Sequence, residues 1–199
     1  MSREVKAHRV KVGVLISGRG SNMSALIAAA KAADYPAEIA LVIANIADAG
    51  GLEAARAEGV EAVAVESKPF GKDRQAHERA MDAALRAAGV EVICLAGFMR
   101  LLTPWFVDAW SGRMLNIHPS LLPAFKGLHT HARAIEAGHV EAGCTVHIVT
   151  ADLDDGPILG QARVPVLPGD DEMTLAARVL TEEHRLYPRC LAEFCRTLA

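Results

Sequence analysis

Short apolar runs alternate with segments of helical periodicity through the first half of the chain, and this alternation constrains the fold most. Four runs rich in Val, Ile, Leu and Ala predict buried strands, at residues 10–16, 38–44, 60–65 and 90–96. The intervening segments have the apolar spacing of helices, over residues 23–30, 48–58 and 72–88. This order predicts an α/β fold, Rossmann-like, with a doubly wound, mostly parallel sheet and helices on both faces. Ligands of such sheets bind at the carboxyl ends of the strands.

The second half of the chain continues the same architecture with shorter elements. It predicts helices at residues 104–110 and 132–137, and strands at residues 114–118, 143–150 and 158–166. A last helix is predicted from residue 174 to about residue 198. Pro188 lies inside it and, because proline has no N–H and clashes with the preceding turn, predicts a break in that helix.

Length and composition indicate one globular domain without an extended charged surface. The 199 residues contain no linker-like stretch, and 51% are hydrophobic and 23% charged, as is usual for globular chains. The net charge of -3 gives no long-range attraction to nucleic acid or to an anionic membrane. We therefore expect small-molecule partners, and any anionic ligand must be bound locally.

The N-terminus and the cysteines point to a reducing compartment. No apolar stretch follows the first charged residues, and no later run reaches the roughly 18 residues that span a bilayer, so we expect a cytoplasmic protein. Cys94, Cys144, Cys190 and Cys195 lack C-x-x-C spacing. We expect reduced structural thiols rather than a disulfide framework or a zinc site.

A glycine-rich loop, Ser17-Gly18-Arg19-Gly20-Ser21-Asn22, joins the first predicted strand to the first predicted helix. Such a junction collects unpaired N–H groups at the positive end of the helix dipole, which suits a phosphate. The loop lacks the Gly-Lys-Ser/Thr of a P-loop, and the second strand ends in Asn45 rather than the acid that binds a dinucleotide ribose. A small phosphorylated ligand is favoured over NAD, although a plain tight turn also explains the loop.

The stretch Asn116-Ile117-His118-Pro119 predicts the chemical centre. Asn116 and His118 are two residues apart on a predicted strand, so both side chains leave the same face. The turn at residues 152–155 adds a carboxylate. An ordinary strand end, with Asn116 as a cap and His118 as a buried histidine, is the alternative explanation.

An amide, an imidazole and a carboxylate without a covalent nucleophile suit direct acyl transfer between two bound substrates. The amide can stabilise an oxyanion, which is worth roughly 10²–10³ in rate. The imidazole can transfer protons, which is worth roughly 10²–10⁴, and a nearby carboxylate favours the imidazolium and orients it.

Five sequence blocks together resemble the folate-dependent formyltransferases, and specifically the branch that acts on glycinamide ribonucleotide. They are the glycine loop at residues 17–22, Ala-Gly-Phe-Met-Arg at 96–100, Asn-Ile-His-Pro-Ser-Leu-Leu-Pro at 116–123, Gly-Leu-His-Thr-His at 127–131, and Leu-Asp before Gly-Pro at 153–157. The likeness extends from about Val10 to Leu191. Asp155 departs from the pattern, because the family commonly has glycine after the catalytic acid.

The resemblance implies an enzyme of de novo purine biosynthesis. The glycine amine of glycinamide ribonucleotide would attack the formyl carbon of 10-formyltetrahydrofolate, with no metal involved. The implied catalytic residues are Asn116, His118 and Asp154. The implied ribonucleotide-binding residues are Gly20, Ser21, Asn22 and Glu183, and the implied folate-binding residues are Arg74, Met99, Arg100, Leu101, Leu102 and Asn116. Four apolar residues are expected around the pterin: Leu95, Phe98, Val107 and Val149.

The resemblance also implies one formyltransferase domain over residues 1–199. Residues 1–9 would be an N-terminal extension, residues 10–110 the phosphate-binding half, and residues 111–199 the half that carries catalysis and the folate site. We expect a monomer or a weak homodimer.

Four other functions fit parts of the pattern. Formyltetrahydrofolate deformylase has a similar trio but would need a regulatory domain ahead of it, and methionyl-tRNA formyltransferase normally adds a basic C-terminal domain; we expect neither here. A metal-dependent site could use histidines, from among His118, His129, His131 and His147, but no H-E-x-x-H motif or cysteine set supports it. A noncatalytic nucleotide-binding module is the fourth alternative.

Overall fold

Seven strands form one sheet in the computed structural model, which describes residues 8–198. The strands are β1 (Val10–Ile16), β2 (Ala37–Ala44), β3 (Ala62–Ala64), β4 (Val92–Leu95), β5 (Met114–His118), β6 (Glu141–Ile148) and β7 (Ile158–Pro165). Their order in the sheet is β3-β2-β1-β4-β5-β6-β7. The pairs from β3 to β5 are parallel, and β5–β6 and β6–β7 are antiparallel. The predicted mostly parallel α/β fold is confirmed.

Six helices cover the two faces of this sheet. They are α1 (Ser21–Ala30), α2 (Gly50–Ala57), α3 (Arg74–Ala87), α4 (Pro104–Ala109), α5 (Thr130–Glu136) and α6 (Glu172–Arg196). One apolar cluster lies on each face of the sheet. One contains Met23 of α1 and Leu191 of α6, and the other contains Leu85 of α3 and Phe106 of α4. Helices therefore lie on both faces, as the alternating pattern predicts.

The predicted break at Pro188 is wrong, because α6 continues through this residue to Arg196. Tertiary contacts hold the helix at the proline and at the residue before it. The Tyr35 hydroxyl donates to the Pro188 carbonyl at 2.7 Å. The hydroxyl of buried Tyr187 lies 3.0 Å and 3.1 Å from the carbonyl oxygens of Leu95 and Leu115. Packing of a buried face can outweigh the local penalty for proline in a helix.

Several element boundaries differ from the sequence prediction by a few residues. Strand β6 begins at Glu141 rather than residue 143, because its antiparallel pairing with β7 extends to Glu141 opposite Pro165. Helix α5 begins at Thr130, whose hydroxyl donates to the Pro119 carbonyl at 2.7 Å. Residues 1–7 of the predicted N-terminal extension, and residue 199, lie outside the described residues.

The cysteines are buried free thiols, and burial raises the pKa of Cys190 to about 11. This agrees with the expectation of structural thiols. Within residues 8–198, no helix combines the length and the apolar character needed to cross a membrane.

Candidate active site

Strand β5 carries Asn116 and His118 on one face of the sheet, as the period of a strand requires. In the register of the sheet, Asn116 lies beside Leu95 of β4 on one side and His147 of β6 on the other. His118 is 6% exposed, and Asn116 is half-buried. The amide and the imidazole thus lie on one face, near the carboxyl end of β4.

Both ring nitrogens of His118 face oxygen atoms. Nε2 lies 2.9 Å from the Phe125 carbonyl oxygen, and Nδ1 lies 3.4 Å from Oδ2 of Asp154. An imidazolium in this place would donate to both oxygens. The arrangement differs from that of a core histidine because one of its partners is a carboxylate.

Asp154 reaches His118 from a turn with unusual backbone geometry. Its φ is 50°, in the left-handed region that non-glycine residues seldom adopt. The Gly127 N–H donates to Oδ2 of Asp154 at 2.9 Å, which fixes the carboxylate. The other positive-φ non-glycine residues of the described chain, Phe125 and His129, lie in the neighbouring loop. Backbone strain is therefore concentrated beside the imidazole, as is common at functional sites.

The other acids of this turn do not take the position of Asp154. Asp155, where the family commonly has glycine, forms an exposed ion pair with Lys126. Asp152 is exposed, and its backbone carbonyl accepts from the Thr150 hydroxyl at 3.4 Å. Of the acids in the 152–155 turn, Asp154 is the one that faces the imidazole.

His147 is a member of the site that sequence reasoning considered only as a metal ligand. Its Nε2 lies 3.2 Å from Nδ2 of Asn116 and 3.7 Å from Oδ1 of Asp154. Its Nδ1 lies 3.0 Å from the Ile148 carbonyl oxygen. Burial lowers the pKa of His147, although the Ile148 carbonyl and Asp154 oppose this effect. A neutral ring with its proton on Nδ1 then accepts from the Asn116 amide and fixes its orientation.

The glycine loop leads directly into the N-terminus of α1. Gly20 has a φ of 68° and precedes the first helical residue, Ser21, which is exposed. The first N–H groups of a helix have no partner within the helix and attract anions. Because a Cβ at Gly20 would lie 3.2 Å from the Met23 side chain, the position favours glycine in both conformation and space.

Asn22 of this loop is bound to α6 through a buried pair. Its Nδ2 donates to Oε2 of Glu183 at 2.7 Å, and both residues are buried. Burial raises the pKa of Glu183, while the bond from Asn22 lowers it. The structure therefore brings together Gly20, Ser21, Asn22 and Glu183, which come from distant parts of the sequence.

Several of the expected folate residues lie in the loop that follows β4, the strand that pairs with β5. Met99 and Leu101 are 68% and 64% exposed in the loop after β4, and Arg74 Nη1 lies 3.5 Å from the Leu101 carbonyl oxygen. Four expected pterin neighbours belong to one apolar cluster: Leu95, Phe98, Val107 and Val149. Leu95 of this cluster is paired with Asn116 between β4 and β5, so the cluster adjoins the strand that carries Asn116 and His118.

Within residues 8–198, no three or more His, Cys, Asp or Glu side chains are placed so that together they could hold a metal ion. His118 and His147 approach a single carboxylate, Asp154. His129 precedes α5 and His131 lies within it. The four histidines do not converge as one ligand set.

Comparisons with known proteins identify close relatives over nearly the whole chain. A family model described as formyl transferase matches residues 10–191. The phosphoribosylglycinamide formyltransferase of Escherichia coli is 45% identical over 185 residues, which are 93% of this chain and 87% of that protein. A crystal structure of phosphoribosylglycinamide formyltransferase from Brucella melitensis has 56% sequence identity and a TM-score of 0.90, and the match covers 94% of this chain and 96% of that one.

Longer relatives contain the same unit as one part. The trifunctional purine biosynthetic protein adenosine-3 of Drosophila pseudoobscura pseudoobscura is 50% identical over 192 residues. Those residues are 96% of this chain but 14% of that protein. The chain thus spans a small fraction of the trifunctional relatives and most of the shorter bacterial ones.

Proposed function

Because this chain belongs to the formyl transferase family, we propose that it transfers the formyl group of 10-formyltetrahydrofolate to the glycine amine of glycinamide ribonucleotide, in de novo purine biosynthesis. The names of the bacterial relatives, which match this chain over most of their length, support the substrate. The observation that carries the proposal is the approach of Asp154 to within 3.4 Å of His118 beside Asn116.

Asn116 stabilises the formyl oxygen as the amine attacks the carbon. Its amide has two hydrogens, and the contact with His147 at 3.2 Å uses one of them. The second is then available to the oxygen on which negative charge develops. A donor held in advance needs little reorganisation in the transition state, which is why a single donor is worth roughly 10²–10³ in rate.

His118 transfers protons during formation and breakdown of the tetrahedral intermediate. The attacking amine must lose a proton, and the folate nitrogen that leaves must gain one. His118 exchanges its contact with the Phe125 carbonyl for the reacting group, while Asp154 remains at Nδ1. The carboxylate stabilises the imidazolium and keeps the ring oriented, so both residues act mainly on the transition state.

The remaining residues bind the two substrates. The N–H groups at Gly20, Ser21 and Asn22 bind the phosphate, and Glu183 accepts from a ribose hydroxyl. Oδ1 of Asn22 is buried and has no hydrogen-bond partner within residues 8–198, so it offers a further acceptor for the ribose. The folate is bound by Arg74, Met99, Arg100, Leu101, Leu102 and Asn116, where Arg74 faces the glutamate carboxylates.

We place the phosphate-binding half at residues 10–110 and the catalytic and folate half at residues 111–199, within one domain. Glu183 lies outside the phosphate-binding half, and Arg74 and residues 99–102 lie outside the catalytic and folate half, so neither half carries a complete site. Because one chain supplies all the proposed residues, a monomer or a weak homodimer can catalyse the reaction without a metal.

An absorbance assay for release of tetrahydrofolate tests this function. We expect release from 10-formyltetrahydrofolate only when glycinamide ribonucleotide is present. Release at the same rate without the amine would identify a deformylase, and release with methionyl-tRNA but not with the ribonucleotide would identify the other transferase. His118→Ala should bind tetrahydrofolate as the wild type does and lose about 10²–10⁴-fold in kcat.

A further inference from the structure

A chain of hydrogen bonds crosses three neighbouring strand ends and is not used by the proposed reaction. Asn45 follows β2, Ser17 follows β1 and Met99 lies beyond β4, and these strands are adjacent in the order β2-β1-β4. The Ser17 hydroxyl donates to Oδ1 of Asn45 at 2.6 Å. The Met99 N–H donates to the Ser17 hydroxyl oxygen at 2.8 Å. We call these three residues the Asn45 relay.

The direction of this relay depends on Asn45. The Ser17 hydroxyl donates its one hydrogen to Oδ1 of Asn45. The lone pairs of the Ser17 oxygen are therefore free to accept from the Met99 N–H. Asn45 is itself held in place, because it is 7% exposed and its backbone carbonyl accepts from the Ser67 N–H at 3.1 Å. A buried amide thus determines the orientation of a hydroxyl group, which in turn holds a backbone N–H.

The segment held by this relay is the 97–102 loop, whose tip is exposed. Ser17 makes two hydrogen bonds to the first part of this loop, because the Ser17 N–H also donates to the Gly97 carbonyl at 3.1 Å. Beyond its last residue, the Thr103 N–H donates to Oε1 of Glu78 at 2.7 Å. The loop is therefore held at Met99 and beyond Leu102, at the two ends of residues 99–102, which are its proposed folate contacts.

We propose that Asn45 and Ser17 are positioning residues for the folate, which act by fixing Met99 and the 97–102 loop. This inference rests on the proposed function, because the folate assignment of the loop belongs to it. Ser17 is also the first residue of the glycine loop, so one hydroxyl group connects the phosphate-binding segment with the folate-binding segment. Without these hydrogen bonds, the folate itself would have to order the loop on binding, which weakens folate binding.

The test uses paired substitutions at Asn45. Asn45→Leu removes the acceptor, and we expect the KM for 10-formyltetrahydrofolate to rise about 3–10-fold, as for loss of one hydrogen bond. The KM for glycinamide ribonucleotide should stay within about twofold, because the helix N-terminus is untouched. Asn45→Asp keeps an oxygen acceptor for the Ser17 hydroxyl and should restore most of the folate KM.

A second variant and a matched control complete the design. Ser17→Ala removes the hydroxyl but retains the Ser17 N–H bond to Gly97, and should raise the folate KM by a similar factor. Ser67→Ala removes a hydroxyl that lies 3.4 Å from the Asn45 carbonyl but does not contact the loop, and should behave as the wild type. The dissociation constant of tetrahydrofolate, measured by calorimetry without the ribonucleotide, should change in parallel with the folate KM.

Three results would overturn this role. They are an unchanged folate KM in both Asn45→Leu and Ser17→Ala, an equal rise in both KM values, or failure of Asn45→Asp to differ from Asn45→Leu. A wild-type protein that does not formylate the ribonucleotide would instead refute the proposed function. The calorimetric measurement keeps the two failures distinguishable, because it needs folate binding but no turnover.

Discussion

Asp154→Asn isolates the charge of the proposed catalytic acid from its shape. Oδ2 of Asp154 faces Nδ1 of His118 at 3.4 Å and accepts from the Gly127 N–H at 2.9 Å. An amide oxygen in the same place can make both contacts. The amide nitrogen then takes the place of Oδ1, 3.7 Å from Nε2 of His147, whose single lone pair already accepts from the Asn116 amide. Asparagine also tolerates the left-handed backbone of this position, so the variant should fold normally.

The expected loss follows from the separation of the two charges. A carboxylate and an imidazolium 3.4 Å apart attract by about 5 kcal/mol at an effective dielectric constant of about 20, which sets the order of magnitude of the loss. The amide dipole retains part of this attraction. We therefore expect kcat to fall on the order of 10²–10³-fold, while the KM for 10-formyltetrahydrofolate changes by less than about threefold.

The absorbance assay at saturating concentrations of both substrates measures this effect, and Asp155→Asn is its control. That change removes the same charge from the adjacent residue, whose side chain is 54% exposed in its pair with Lys126. An exposed pair contributes about 0–1 kcal/mol, so kcat should stay within about threefold of the wild type. If Asp154→Asn retained near-normal kcat, or if both variants lost equally, the proposed role of Asp154 would be wrong.

Three further predictions concern the ribonucleotide site and pH. Ser21→Ala should raise the KM for the ribonucleotide more than the KM for the folate, in steady-state kinetics; an equal rise would contradict the phosphate assignment. Glu183→Gln should keep the Asn22 bond and remove a buried charge, so that Tm at pH 7 rises by about 2–4 °C while calorimetry records weaker ribonucleotide binding. The rise in Tm is expected because burial raises the pKa of Glu183, and a carboxyl group with a raised pKa makes the folded state less stable as the pH rises through that pKa. An unchanged Tm with unchanged binding would count against this prediction. Finally, burial lowers the pKa of four histidines: His77, His131, His147 and His184. The unfolded chain then binds more protons below about pH 6.5, so urea unfolding should show stability lost as pH falls from 7 to 5.5, by up to about 1.4 kcal/mol per pH unit for each histidine; equal stability at both values would refute it.

The order and type of the elements could be predicted because local patterns determine them. The run at Val10–Ile16 is a strand over the range predicted, and its glycine loop leads directly into α1. The approach of Asn22 to Glu183 could be expected only through the family resemblance. No periodicity in the sequence relates two residues that lie in different helices.

Contacts that depend on strand pairing were not predictable from one chain. His147 contacts Asn116 because β6 is antiparallel to β5 with these residues opposite each other, and the sequence does not fix that register. The Asn45 relay depends in the same way on the order of β2, β1 and β4 in the sheet. The predicted break at Pro188 was wrong for a related reason, because contacts from Tyr35 and Tyr187 outweigh a local helix-breaking signal.

The buried pair between Asn22 and Glu183 also bears on how this protein is synthesised. The two residues are 161 positions apart, so the contact forms only after most of the polypeptide has left the ribosome. A nascent chain that ends before α6 can pair β1 with β2 but has no partner for Asn22, and the apolar surface that α6 covers stays open to water. Under the proposed assignment, the ribonucleotide can stabilise only the finished chain, and a translational stop or a proteolytic cut ahead of α6 should leave a product that this ligand cannot rescue.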